Sequence, residues 1–180
     1  MKLAEVSIPS VRSWGALGRV ARIAAFAGFA AAGAQLAVRL PFTPVPITMQ
    51  TLFVVLAGVT LGPRDGFYAM LSYLALGLSG APVFAGLGFG PATLFGPTGG
   101  YLMSFPAAAA LSGCMIERLG RGRVRVFCAS ACGMALMLVA GAVYLRLLSG
   151  ASFSAIASMA ILPFVAGESL KSVFAALFVK

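Results

Sequence analysis

Apolar residues in this chain fall into six long runs, separated by short segments that are either polar or rich in glycine and proline. Several runs are shorter than the roughly 20 residues that a straight membrane-spanning helix needs. Their helices are therefore expected to extend into the flanking segments, or some spans are short and packed against protein. The runs that predict helices are residues 23–38, 47–61, 67–80, 101–116, 126–145 and 156–179.

The composition places these helices in membrane lipid. Of the 180 residues, 61% are hydrophobic and 9% are charged, and the mean hydropathy is +1.01. Soluble domains carry about 25% charged residues, and a chain of this size keeps about a third of its surface exposed after folding. Because so much apolar surface cannot face water, we predict an all-α, polytopic integral membrane protein.

The basic residues lie in short segments between the apolar runs, which indicates the orientation in the membrane. The net charge is +9, but its distribution is not the single basic face that binds nucleic acid. With the N-terminus placed inside, Arg39 and Arg146 fall outside and the other basic loop residues fall inside. The positive-inside rule then predicts six spans with both termini cytoplasmic. The chain divides into a basic cytoplasmic segment, 1–22, and a transmembrane domain, 23–180.

Two apolar loops on the predicted outer side, residues 39–51 and 79–100, are rich in proline or glycine. Proline in the first loop favours extended backbone, and the glycine and proline content of the second argues against helix. Irregular backbone at membrane depth is tolerated only where it is buried in protein or lines a cavity. We therefore expect structured outer loops over a closable site; the alternative is a pair of ordinary exposed turns.

Glu168 and Lys171 lie inside the last apolar run, where an ionisable residue costs about 2.5–3.5 kcal/mol at the helix centre. Their i, i+3 spacing puts them on one helix face, near the membrane midplane when counted back from Lys180 at 1.5 Å per residue. One interpretation is a self-neutralising structural pair. The other is a ligand site, in which the carboxylate accepts N–H groups and the ammonium meets a carbonyl or carboxylate.

Enzyme chemistry and metal binding are not predicted. The chain has no histidine, four acidic residues and three cysteines, too few ligands for a metal site. In the first run, small residues four apart, including Ala27 and Ala31, let another helix approach closely. They predict either internal packing or a docking surface for a second membrane subunit. The segment 31–34, AAGA, also has the small-residue pattern of a signal-peptidase site, and whether it is cleaved stays open.

The chain resembles the BioY family, the biotin-specific substrate-binding (S) components of energy-coupling factor transporters. The resemblance rests on PFTPVPITMQTLFVVLAGVTLGPRDG at 41–66, LGLSGAPVFAG at 76–86, FGPTGGYLMSFP at 95–106 and PFVAGESLK at 163–171. It implies a six-helix protein of the bacterial cell membrane that captures biotin without a cofactor. The pocket would lie on the outward side, beneath the connections that follow the first and third helices, which are the two loops at 39–51 and 79–100. Many members work with a membrane coupling subunit and two cytoplasmic ATPases, and here the coupling subunit would dock at Ala27 and Ala31.

The resemblance also implies a set of binding residues. Glu168, where the family typically has aspartate, is expected to accept the ureido N–H groups, and Lys171 to meet either the carbonyl or the carboxylate. The remaining expected contacts are apolar ones from Val83, Phe84 and Tyr101, and polar ones from Thr48, Gln50, Tyr73 and the backbone at Gly86, Gly99 and Gly100.

Two alternatives stay open at this point: an S component for a related vitamin, and a membrane assembly protein that transports nothing. The need for the ATPases, the oligomeric state and the affinity are also left open by the sequence.

Overall fold

A computed structural model describes residues 15–179, so predictions for residues 1–14 and Lys180 lie outside the described part of the chain. This part of the chain is all-helical apart from one short β-hairpin, which confirms the predicted all-α class. The helices are α1 (Ala16–Gln35), α2 (Gln50–Leu61), α3 (Pro63–Leu78), α4 (Gly90–Leu94), α5 (Gly99–Leu119), α6 (Arg123–Ser149), α7 (Phe153–Ile156) and α8 (Leu162–Phe178).

Within residues 15–179, four helical segments are long and apolar enough to cross a membrane: α1, α5, α6 and the continuous stretch 153–178. By contrast, α2 is apolar but has 12 residues, which span about 18 Å at 1.5 Å per residue. That is less than the roughly 30 Å hydrocarbon core of a bilayer. Each predicted run contains a helix, but six complete crossings stay a prediction.

The predicted boundaries shift where the chain enters its loops. Helix α1 begins at Ala16, well before the predicted start, and ends at Gln35. The backbone then forms β1 (Ala37–Val38), which pairs antiparallel with β2 (Ile47–Thr48). Between the two strands the backbone makes a turn at 41–42 and a bend at 44–45, with no helix among residues 39–46. In the second outer loop, a 3₁₀ turn at 85–87 and the short α4 occur where no helix was expected.

Glycines allow α2, α3, α5 and α6 to pack closely. A Cβ atom added at Gly58 of α2 would lie 2.1 Å from the carbonyl oxygen of Ala109 in α5. One at Gly141 of α6 would lie 2.3 Å from the ring of Tyr101. Because glycine has no side chain at these positions, the helices can approach closely in lipid, where no hydrophobic effect drives their association.

The two loops predicted to lie outside, residues 39–51 and 79–100, gather at one end of the helix bundle. Gln35, at the end of α1, hydrogen bonds to residues of the second loop. The Tyr144 hydroxyl, near the end of α6, donates to the carbonyl of Phe95 at 3.0 Å. The first loop reaches the same place, because the Arg39 guanidinium lies beside Gly86.

The short connections gather at the opposite end. There Arg19 of α1 forms an ion pair with Asp65 of α3 at 2.6 Å. Gly62, which joins α2 to α3, lies beside the carboxylate of Glu117 near the end of α5. The cluster of four arginines at 118–125 follows Glu117 directly, so this end of the bundle carries most of the described positive charge.

The last helical stretch contains a π-helical segment, Ala157–Ile161, between α7 and α8. Such segments interrupt the regular i to i−4 bonding and occur often at functional sites. Here the Tyr101 hydroxyl donates to the carbonyl of Ala160 at 2.7 Å. This contact connects α5 to the segment that leads into α8. Helix α8 carries Glu168 and Lys171.

Candidate functional site

A cavity of about 460 Å³ lies beneath the two outer loops. Its size falls within the roughly 300–1,000 Å³ that is usual for small-molecule sites. The first loop lines it with residues from Arg39 to Thr48, the second loop with residues from Phe84 to Thr98, and α2, α5, α6 and α8 complete its wall. Both outer loops therefore border the same space, as expected from their apolar sequences.

The end of α1 fastens the second loop. The Gln35 side chain donates from Nε2 to the carbonyl of Phe84 at 3.0 Å and accepts at Oε1 from the backbone N–H of Leu87 at 3.1 Å. Phe84 in turn pairs with Gly88, and Gly86 between them has φ +65°, a conformation that favours glycine. Sequence reasoning missed Gln35; its one signal was an amide near the end of an apolar run.

The predicted pair of Glu168 and Lys171 forms an ion pair at 2.8 Å. Glu168 is 6% exposed, and its Oε1 also accepts from the Thr51 hydroxyl at 3.0 Å. The second carboxylate oxygen, Oε2, is buried and has no hydrogen-bond partner among residues 15–179. Glu168 is the one acidic residue on the described cavity wall. A buried charged oxygen without a partner is costly, so this carboxylate is suited to accept a ligand N–H group.

Lys171 is not among the residues that line the cavity. Its ammonium donates to the Thr48 carbonyl at 2.6 Å, to the Thr51 hydroxyl at 2.8 Å and to Glu168 Oε1. An ammonium has three protons, so these bonds occupy all of them. Lys171 therefore lies behind Glu168, holds it between α8 and α2, and offers no free donor to a ligand in this conformation.

Gln50 and Thr48 lie on the cavity wall, as expected, and Tyr73 supports them from behind. The Gln50 amide donates to the Tyr73 hydroxyl and accepts from the Thr48 hydroxyl at 3.2 Å. The Tyr73 hydroxyl donates onward to the carbonyl of Val83 at 3.1 Å. Tyr73 and Val83 do not line the cavity; they fix the orientation of Gln50 and connect α2 and α3 to the second loop.

Aromatic and thioether side chains form a large part of the apolar wall, beside aliphatic ones. Phe84 and Tyr101 line the cavity as expected, and Phe84 packs edge-on against Tyr73 with ring centroids 5.6 Å apart. Sequence reasoning missed the other members of this wall, which carry no signal beyond being apolar residues in apolar helices. Among the missed helical residues are Leu102, Phe105, Met134, Met137, Leu138 and Phe164; the polar Arg39 and Thr51 were missed as well, as were several residues of the two loops.

The three predicted glycines are outside the cavity lining. A Cβ atom at Gly99 would lie 2.1 Å from the carbonyl oxygen of Leu94, and one at Gly100 would lie 2.2 Å from the Cβ of Tyr144. Both glycines serve close packing at the start of α5. Gly86 supplies the positive-φ turn of the second loop.

The predicted docking pair on α1 faces largely inward. Ala27 is 2% exposed, and Ala31 is partly buried against the core, so Ala27 cannot contact a partner in this conformation. On a neighbouring face of the helix, Ala32 is exposed, and a Cβ atom at Gly28 would have no neighbour within 4 Å. The small residues of α1 therefore serve both internal packing and an outward surface.

Residues 15–179 contain no cluster of three or more histidine, cysteine, aspartate or glutamate residues that could hold a metal ion. The three cysteines are free and exposed.

A model of the BioY family matches residues 5–180. The probable biotin transporter BioY of Pyrococcus horikoshii is 40% identical to this chain, over 79% of this chain and 82% of that protein. Biotin transporter BioY2 of Lactococcus lactis is 36% identical, over 77% and 76%. The crystal structure of the S-component for biotin from an ECF-type ABC transporter superposes with a TM-score of 0.82 at 26% identity, over 89% and 88% of the two chains. The similarity thus extends over most of each protein.

Proposed function

The chain belongs to the BioY family, and on that premise we propose that it captures biotin and carries it across the membrane as the S component of an ECF-type transporter. One observation carries the proposal: a buried carboxylate, held by Lys171 and Thr51, lies on the wall of a ligand-sized cavity. The ureido ring of biotin presents two N–H donors, which are the groups that Glu168 is suited to accept.

Lys171 acts as a positioning residue in this proposal. Its ammonium compensates the charge of Glu168 in a low-dielectric site and aims the carboxylate. Binding of the ureido carbonyl then falls to neutral donors, and Gln50 on the adjacent wall is the strongest candidate. The thioether ring and the aliphatic tail lie against Phe84, Tyr101 and the other apolar residues of the wall.

The topology supports uptake from outside. We propose six crossings with both termini in the cytoplasm of a bacterium, so that the loop-covered cavity opens outward. The positive charge at the end with the short connections supports this orientation, because basic residues remain cytoplasmic. Biotin would enter past the outer loops and leave inward after a change of conformation or of orientation in the membrane.

A coupling subunit and two ATPases are the proposed partners. The outward face of α1, with Gly28 and Ala32, is the surface on which a partner helix could approach closely. The test is uptake of labelled biotin in cells with and without the coupling module. Concentrative uptake that needs the module supports these partners, and equal uptake without it shows that the chain works alone.

Equilibrium binding tests the capture step. Purified protein in lipid nanodiscs is titrated with radiolabelled biotin, with desthiobiotin and lipoate as competitors. We expect saturable binding of about one biotin per chain, competition by desthiobiotin, which keeps the ureido ring, and little competition by lipoate, which lacks it. Folded protein that binds no biotin would overturn the proposal and favour an assembly role; preference for lipoate would point to a different vitamin.

A further inference from the structure

Arg39 is the one cationic side chain on the described cavity wall. It belongs to the first outer loop and is exposed, whereas Glu168, the acidic residue of the wall, is buried. The wall is therefore polarised, with a negative group at its closed end and a positive group at its opening.

Lys171 cannot provide the positive end, because its three protons are donated to Thr48, Thr51 and Glu168. A ligand that carries a carboxylate needs a cation or water to keep that group satisfied, since an unpaired charge in a poorly solvated site is costly. Arg39 is the remaining cation within reach of the cavity.

The Arg39 guanidinium is also uncommitted. Among residues 15–179, it forms no ion pair: Asp65 pairs with Arg19, Glu168 pairs with Lys171, and Glu117 lies at the opposite end of the bundle beside Gly62. A Cβ atom at Gly86 would lie 2.4 Å from its Nη2 atom, so the side chain extends from the first loop across to the turn of the second. A guanidinium at this place can bind a carboxylate through two parallel N–H donors.

We propose that Arg39 binds the carboxylate at the end of the ligand's aliphatic tail, at the opening between the two outer loops. This role rests on the proposed function, because it takes biotin as the ligand. It makes Arg39 a specificity residue, which favours the free acid over neutral forms of the same tail. The salt-sensitive part of affinity would then reside at the opening, and the ureido contacts at the closed end would be insensitive to salt.

The test compares biotin with biotinamide, in which a neutral amide replaces the carboxylate. Dissociation constants are measured for wild-type protein, Arg39→Gln and the matched control Arg146→Gln. Arg146 lies at the same end of the bundle but outside the cavity lining, with its guanidinium 3.7 Å above the ring centroid of Phe153.

We expect wild-type protein and R146Q to prefer biotin by about 10-fold, as for one charge-assisted contact at a partly solvated site. R39Q should lose this preference by binding biotin more weakly, with the affinity for biotinamide unchanged. Biotinamide binding also reports that R39Q is folded.

Equal wild-type affinity for the two ligands would overturn the role of Arg39 alone, as would an R39Q variant that keeps the preference. Folded wild-type protein that binds neither ligand would overturn the proposed function itself. The two failures are therefore distinguishable in one set of titrations.

Discussion

Replacement of Glu168 by glutamine keeps the size of the side chain and removes its charge. An amide has one acceptor oxygen, which can keep the bonds now made by Oε1 to Thr51 and Lys171. The amide nitrogen then stands where Oε2 now has no partner, so this position changes from acceptor to donor. A ureido N–H group that approaches it meets another donor.

The loss of affinity follows from that exchange. One hydrogen bond to a charged group contributes about 1.5–3 kcal/mol, and each 1.4 kcal/mol changes the dissociation constant tenfold. We therefore expect E168Q to bind biotin about 10- to 150-fold more weakly than wild-type protein. Glu168→Asp keeps the negative charge and should lose less affinity than E168Q.

Stability has to be followed in parallel, because E168Q leaves the ammonium of Lys171 buried without its counter-ion. Breaking a buried ion pair costs about 3–5 kcal/mol when the remaining charge has no compensation. The double variant E168Q/K171M removes both charges and should recover much of that stability without recovering binding. Thermal unfolding and biotin titration of the same nanodisc samples separate the two effects.

Unchanged affinity in folded E168Q would refute the assignment of the ureido contact to Glu168. Recovery of binding together with stability in E168Q/K171M would do so as well, since it would make the pair a structural feature of α8.

Two further predictions concern the second loop and the packing of the helices. Gln35→Ala removes both hydrogen bonds to the second loop, so a chase with unlabelled biotin should show faster dissociation; an unchanged rate would mean that Gln35 does not hold the loop closed. Gly58→Ala places a methyl group 2.1 Å from the Ala109 carbonyl oxygen and should lower the free energy of unfolding by about 1–3 kcal/mol. The same substitution at Gly28, which has open space around it, should instead raise stability, by up to about 1 kcal/mol, because alanine has a higher helix propensity than glycine.

Spacing along the sequence predicts only part of the site. Residues three apart share a face of any α-helix, so the spacing of Glu168 and Lys171 predicted that their side chains lie together. Their ion pair is present. Their division of roles had no such signal. It depends on β2 and α2, which bring Thr48 and Thr51 against Lys171 from more than 100 residues away in the chain. One charge of the pair therefore lines the cavity and the other lies behind it.

The same limit applies to the apolar positions. Small residues four apart in α1 marked a close-packing face, but Ala27 turns inward and Gly28 outward because neighbouring helices cover one side of α1. Likewise, Tyr73 was expected at the ligand and instead orients Gln50 from behind the wall.

The sequence by itself determined the family, the all-helical class and the two loops that cover the site. Long continuous apolar runs satisfy the hydrogen bonds of their backbone in lipid as helices. Proline- and glycine-rich segments disfavour long helices and form the connecting loops. The tertiary structure alone decided which side chains reach the cavity. That choice depends on the rotation of each helix about its axis, which is set by contacts between residues far apart in the chain, such as Tyr101 with Gly141 and Gln35 with the second loop.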